Sequence, residues 1–117
     1  MPNDNDYFAY VYHKLNAWLN EVKSERKPRI DEFLKQLNTW SVNDKQEMIF
    51  KKFKFKNFKE ALRFINLVGE TAEEERHHPD ISLGWGYCLI MIHTHAIKGL
   101  SVNDFILAAK IDKIFNV

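Results

Sequence analysis

Four stretches of the chain repeat apolar side chains every three or four residues, which is the spacing of one buried helix face. They lie at residues 7–22, 30–37, 57–76 and after residue 101. The charged run 24–28 separates the first two and ends in Pro28, which has no N–H donor and blocks a continuous helix. We therefore predict four helices, with a connector between the first and the second.

Other stretches have the pattern of strands. Bulky apolar residues alternate with lysines over residues 47–56, which is the period of a half-buried strand. Residues 81–95 are also strand-rich, and a Gly-Trp-Gly turn at 84–86 divides them into a short and a longer strand. Turn residues surround Trp40 in the stretch 38–44, which has room for one more short strand. Helices and antiparallel strands in this order predict an α+β fold with one sheet and several helices.

Residues at the helix ends agree with these boundaries. Asn57 is a favourable N-cap with Glu60 three positions later, as in a capping box, and Ser101 stands in the same relation to Asp104. The run His77-His78-Pro79 ends the third helix, because a residue before proline avoids the helical region. These signals predict where the histidine-rich segment begins.

The strand after residue 84 carries mainly apolar side chains on both of its faces. A single layer of helices covers only one face of a sheet, so another element must cover the second face. We expect this cover to come either from another subunit or from the amphipathic helix predicted at residues 7–22.

Composition and charge narrow the functional classes. The 117 residues suit one domain, which we assign to residues 24–117 behind an N-terminal extension at 1–23. The net charge of +1 argues against a nucleic-acid or membrane-surface partner, and no apolar run approaches the ~18 residues of a membrane span. A polar, acidic N-terminal sequence and a single cysteine, Cys88, favour the cytoplasm. No Gly-rich phosphate loop indicates a nucleotide cofactor.

Four of the five histidines fall between residues 77 and 95. His77 and His78 stand at the predicted helix exit, whereas His93 and His95 are two apart in a predicted strand and project from one face. Structural histidines, a metal site and acid/base catalysis are all open interpretations. No cysteine or Glu-x-x-His pattern supports a metal site. Imidazole exchanges protons near neutral pH, and Glu73 shares a helix face with His77, where a carboxylate would fix the tautomer of the ring.

These residues resemble the signature of the pterin-4a-carbinolamine dehydratase family. The spaced set is Glu73-x-x-x-His77-His78-Pro79, followed at the family's intervals by Trp85, His95 and Asp104. Further similar positions are Thr94, Gly99-Leu100-Ser101, Trp40 and the Phe-rich strand before residue 58. The resemblance covers about residues 24–115 and needs no gap.

The resemblance implies a fold, an assembly and an activity. The expected fold is a four-stranded antiparallel sheet with helices packed on one face, beside the added N-terminal helix, in a homodimer or homotetramer. The expected activity is that of a hydro-lyase, which removes water from 4a-hydroxytetrahydropterin and gives quinonoid dihydropterin. This reaction recycles the pterin of aromatic amino acid hydroxylases. It uses no metal and no cofactor, and the partner is the small-molecule pterin.

The resemblance also implies residue roles. His77 and His95 correspond to the proton-transferring pair, and His78 corresponds to an auxiliary acid or substrate-positioning group. Glu73 and Asp104 correspond to carboxylates that orient or charge the histidines. The expected substrate contacts are Trp40, as an aromatic wall of the pterin pocket, together with Pro79, Trp85 and Thr94.

The chain departs from the family pattern at two positions. Gly86 stands where asparagine is common, and His93 stands where many members have threonine or serine. An extra imidazole could alter proton transfer or bind a metal. Two alternatives stay open: a dehydratase-like protein that acts on another pterin, and, as the resemblance also implies, a non-enzymatic oligomeric protein that binds a protein partner through its helices.

Overall fold

The computed structural model describes residues 23–116 of the chain. The helices are α1 (Lys23–Gln36), α2 (Phe58–Glu75) and α3 (Val102–Phe115), and the strands are β1 (Ser41–Val42), β2 (Ile49–Lys54), β3 (Asp80–Gly84) and β4 (Tyr87–Ile92). A short 3₁₀ helix covers His95–Ile97. The predicted helix at 7–22, the proposed extension and its packing lie outside the described residues.

The four strands form one antiparallel sheet in the order β1-β2-β4-β3. The register pairs Ile49 with Ile92 and Phe53 with Cys88, so that these four apolar residues of the two central strands share one face. This arrangement confirms the α+β fold and the four-stranded antiparallel sheet.

The helices cover that face of the sheet. The core cluster joins sheet residues to residues of all three helices; among its members are Ile49, Phe53, Ile90, Ile92, Ile30, Phe64, Val68, Phe105 and Ile111. On the opposite face, Phe50, Leu89 and Met91 stay partly exposed and lie outside this cluster. What covers the second face therefore remains a prediction. No helix among the described residues is long and apolar enough to cross a membrane.

The expectation that Pro28 separates two helices is wrong. Helix α1 runs through Pro28 from Lys23 to Gln36. Proline lacks the N–H that would bond the Ser24 carbonyl four positions earlier, and its ring crowds that carbonyl. Both effects fall on a single turn, near the first described residues of the helix. The helix beyond Pro28 keeps its remaining bonds, and Ile30 anchors it in the core.

The helix ends near the histidines form as the sequence indicates. Helix α2 begins where the Asn57 side chain accepts the Glu60 N–H at 2.9 Å. It ends at Glu75, and Arg76 adopts the left-handed conformation, with φ of 54°. The His77 N–H then donates to the Ala72 carbonyl at 3.1 Å, as in a Schellman motif. This motif directs the chain from the helix into the His-His-Pro run.

The strand predicted to reach His95 is shorter in the structure. Strand β4 ends at Ile92, Thr94 forms an isolated bridge with Gly99, and His95 opens the 3₁₀ turn. The left-handed conformation of Lys98, with φ of 51°, closes this turn before Gly99. His93 and His95 therefore do not share a strand face.

Candidate functional site

His77 and Asp104 form the centre of the site. The Schellman end of α2 presents His77, and its Nε2 lies 2.5 Å from Oδ1 of Asp104 in the first turn of α3. The side chain of Asp104 has no solvent exposure, and that of His77 is 14% exposed. The ring of His77 is therefore held by one nitrogen, and Nδ1 makes no hydrogen bond with another described residue.

Both oxygens of the Asp104 carboxylate are hydrogen-bonded. Its Oδ2 accepts the Ser101 N–H at 2.8 Å and the Thr94 hydroxyl at 2.9 Å. A buried carboxylate is costly unless such donors satisfy it, and the N-terminal end of a helix adds a favourable field. Asp104, predicted at N3 of the last helix, thus caps this helix with one carboxylate oxygen and holds the His77 ring with the other.

Thr94 connects this carboxylate to His95. Its hydroxyl also lies 2.7 Å from Ser101 Oγ, and its N–H donates to the Gly99 carbonyl at 2.8 Å. His95 follows Thr94 directly in the chain, so the backbone that carries His95 is fixed next to Asp104. We call these residues the connected set: hydrogen bonds join the side chains of His77, Asp104 and Thr94, and the peptide bond joins Thr94 to His95.

The rings of His93 and His95 touch each other. Their centroids are 4.1 Å apart, with an interplanar angle of 61°. Nε2 of His93 lies 3.4 Å from Oδ2 of Asp80, the first residue of β3. The sequence placed both imidazoles on one strand face; the structure instead brings their rings into contact through the 3₁₀ turn that begins at His95.

A cleft of about 300 Å³ opens beside these two imidazoles. Its lining residues are Asn43, Glu47, Met48, His93, His95 and Lys98. Its volume lies at the lower end of small-molecule sites. A larger groove of about 690 Å³ between α2 and the end of α3 contains none of the predicted site residues. The smaller cleft is therefore the candidate ligand site.

Glu73, which the sequence predicted to pair with His77, contacts His78 instead. Oε1 of Glu73 lies 2.7 Å from Nε2 of His78, and both side chains are mostly exposed. The pairing of Glu73 with His77, expected from helical spacing, is wrong, because the left-handed Arg76 turns the chain out of the helix. An exposed pair of this kind adds little stability, but it orients the His78 ring at the surface.

Trp40 and Trp85, the two tryptophans predicted to contact the substrate, lie outside the connected set. Trp40 is 7% exposed, and its indole N–H lies 3.0 Å from both carboxylate oxygens of Asp112. Trp85 is 75% exposed at the β3–β4 turn, whereas Asp80 and His93 lie at the other end of this hairpin. Pro79 directly precedes β3. Pterin contacts by Trp40, Pro79 and Trp85 therefore remain predictions.

Sequence reasoning missed several residues of the site. Asn43, Glu47 and Met48 belong to the β1–β2 loop, and Lys98 closes the 3₁₀ turn. The sequence carries only a weak signal for these residues. Asp80, whose carboxylate lies near His93, was missed as well, although it directly follows the His-His-Pro run. Among residues 23–116, no three His, Cys, Asp or Glu side chains form a possible metal site.

Comparisons with known proteins point to one family. The family model described as "Pterin 4 alpha carbinolamine dehydratase" matches residues 23–114. A protein of Halorhodospira halophila named "Putative pterin-4-alpha-carbinolamine dehydratase" is 52% identical over 84 residues, covering 72% of this chain and 77% of the relative. A protein of the same name from Rubrobacter xylanophilus is 47% identical over 85 residues, or 73% of this chain and 78% of the relative.

Two solved structures share the fold. The crystal structure described as a transcriptional coactivator/pterin dehydratase from Brucella melitensis has a TM-score of 0.71 and 30% identity, covering 80% of this chain and 96% of that one. A pterin dehydratase-like protein, described as a RuBisCO assembly factor in the alpha-carboxysome, has a TM-score of 0.57 and 24% identity, covering 66% and 89%. The second likeness concerns the fold alone. Given the family match and the identity of its relatives, this chain belongs to the pterin-4a-carbinolamine dehydratase family.

Proposed function

We propose that the protein catalyses the dehydration of 4a-hydroxytetrahydropterin to quinonoid dihydropterin and water. The observation that carries this proposal is the connected set of His77, Asp104, Thr94 and His95, with His95 at the wall of a cleft. Family membership and relatives named for this dehydratase support the same reaction. The substrate is a bicyclic heterocycle, which suits a small cleft with a few polar groups.

The reaction needs two proton transfers. One imidazole protonates the 4a-hydroxyl, and the C4a–O bond breaks so that water leaves with the bonding electron pair. The N5 electron pair forms the C4a=N5 double bond, and the N5 proton passes to the second imidazole. General acid and general base catalysis each contribute about 10²–10⁴-fold. In this proposal His77 and His95 share the two roles.

The neighbouring residues act on the proton-transferring pair. Asp104 and Thr94 position the two histidines, because they join the His77 ring to the backbone of His95. The exposed Glu73–His78 pair acts as an auxiliary acid or positioning group, next to Pro79. The predicted pterin contacts of Pro79, Trp85 and Thr94 stay part of this proposal. For Trp40, which was also predicted as a pterin contact, we propose a structural role, since its indole is buried against Asp112.

The proposal extends to the setting of the reaction. A homodimer or homotetramer in the cytoplasm would recycle the pterin of an aromatic amino acid hydroxylase. A pterin other than tetrahydrobiopterin is the second candidate substrate, because His93 replaces a residue type that is common in the family.

The test is the dehydration rate of 4a-hydroxytetrahydropterin, formed in situ by a hydroxylase. We expect the wild-type chain and the surface variant Lys113→Ala to accelerate the reaction equally, and the double variant His77→Ala/His95→Ala to lose the acceleration. Circular dichroism checks that the double variant is folded. A wild-type rate no higher than that of the folded double variant rejects the enzymatic function.

A further inference from the structure

The cleft contains polar groups that the proton-transfer chemistry does not use. The Glu47 carboxylate and the Lys98 ammonium both line it, and neither makes a hydrogen bond or ion pair with another described residue. Both side chains are exposed, so that they are accessible to a ligand. An acceptor and a donor of opposite charge therefore face the same small cavity as His95.

The backbone around Glu47 is well defined by hydrogen bonds. Oδ1 of Asn43 accepts the N–H groups of Glu47, at 2.8 Å, and Met48, at 3.1 Å. The Asn43 N–H donates to the Met48 carbonyl at 3.0 Å, and Gln46 takes a left-handed conformation with φ of 58°. The Asn43 side chain and the main chain of the β1–β2 loop thus hold the backbone of Glu47 at the cleft and leave its carboxylate available.

The charge pattern of this cleft matches the pyrimidine ring of a pterin. The ring carries an exocyclic nitrogen at C2 and an N–H at N3, which are two nearly parallel donors, and an acceptor oxygen at C4. One carboxylate can accept both donors in a bidentate arrangement, and an ammonium group can donate to the oxygen. A neutral amide offers only one acceptor oxygen, whereas a carboxylate offers two that share a negative charge.

We propose that Glu47 binds the 2-amino and N3 edge of the pterin, and that Lys98 donates to its C4 oxygen. This inference rests on the proposed function and names the recognition element of the same site. C4a lies opposite C2 in the pyrimidine ring, so binding of the 2-amino and N3 edge leaves C4a and N5 free to face His95, which lines the same cleft. Glu47 is then a specificity-determining residue and takes no part in proton transfer.

The test compares Glu47→Gln with Asp44→Asn, a matched removal of an exposed carboxylate in the same loop but outside the cleft. The probe is 7,8-dihydropterin, with its dissociation constant measured by calorimetry, and KM and kcat follow from the dehydration assay. We expect Glu47→Gln to raise both the dissociation constant and KM by about 10- to 100-fold, since a charge-assisted bidentate contact is lost. The value of kcat should change less than threefold, and Asp44→Asn should behave as wild type.

A second ligand separates direct contact from a distorted loop. A 2-desamino analogue of dihydropterin lacks one of the two donors, so it should bind the wild-type protein weakly and lose little further affinity in Glu47→Gln. Equal losses for both ligands, or an unchanged KM in Glu47→Gln beside an active wild type, would overturn the role of Glu47. A wild-type protein that neither binds dihydropterin nor accelerates dehydration would instead overturn the proposed function, and this inference with it.

Discussion

Nε2 of His77 lies 2.5 Å from Oδ1 of Asp104, although the two residues are 27 positions apart in the chain. The other oxygen of this carboxylate accepts the Ser101 N–H and the Thr94 hydroxyl. The contact ties the end of α2 to the start of α3. Which ring nitrogen of His77 carries the proton therefore depends on the Asp104 carboxylate, which has no solvent exposure.

Replacing Asp104 with asparagine should change which ring nitrogen of His77 carries the proton, while a side chain of nearly the same size stays in place. The Asn amide oxygen must accept the Ser101 N–H, so the amide NH₂ group points at Nε2 of His77 and forces the proton onto Nδ1. We expect kcat to fall by about 10²–10⁴-fold, with the fold retained by circular dichroism. A folded Asp104→Asn variant with wild-type kcat would show that Asp104 supports the helix only.

Thr94→Val should destabilise the protein. Valine has nearly the same shape as threonine, but it carries a methyl group in place of the buried hydroxyl. The change leaves one carboxylate oxygen of Asp104 with fewer donors and removes the partner of Ser101 Oγ. We expect the free energy of unfolding to fall by about 1–3 kcal/mol. Urea unfolding measures the loss, and Thr94→Ser, which keeps the hydroxyl, is the control. Similar losses in the two variants would mean that the methyl group matters more than the hydrogen bond.

Trp40→Phe separates a structural tryptophan from a pocket wall. The indole N–H donates to Asp112, which also accepts from the buried Lys51 ammonium at 2.8 Å. Phenylalanine has no donor there, so we expect a loss of about 1–3 kcal/mol in unfolding free energy. KM for the pterin should stay unchanged in the same variant. A raised KM with unchanged stability would restore Trp40 to the pocket, and Trp85→Phe at the exposed turn is the comparison for stability.

The buried Cys88 thiol should make stability fall at alkaline pH. Burial raises the pKa of Cys88 to about 11, from its ordinary value of 9.0. Between these two values the unfolded chain loses the thiol proton while the folded chain keeps it, so stability decreases as the pH rises. Over this window the thiol contributes a loss on the order of 2–3 kcal/mol.

The measurement for Cys88 is the difference between two unfolding curves. Lysine and tyrosine side chains titrate in the same range, so wild type and Cys88→Ala are compared by urea unfolding from pH 8 to pH 11. The gap between their stabilities should narrow as the pH rises. Parallel curves would show that the thiol is not the group whose ionisation is suppressed.

Patterns over a few residues predicted the elements that lead to the site. The Asn57 cap, the stop at His77-His78-Pro79 and the Ser101 cap all depend on neighbours within one helical turn, and each has its counterpart in the structure. The same local logic failed at Pro28, because the other turns of α1 and the core contact of Ile30 outweigh the single bond that proline removes. It also failed for Glu73, which contacts His78 and not His77, because the left-handed Arg76 turns the chain out of the helix.

The amino-acid sequence by itself determined the α+β class, the sheet-forming segments and the position of the histidines, because periodicity and capping act between residues that are close in the chain. The tertiary structure alone decided that His77 contacts Asp104, that Trp40 faces Asp112, and that Glu47 shares a cleft with His95. These pairs depend on the order β1-β2-β4-β3 and on how α3 packs beside α2. No local pattern carries that information, because such contacts form only when distant segments bury their apolar faces together.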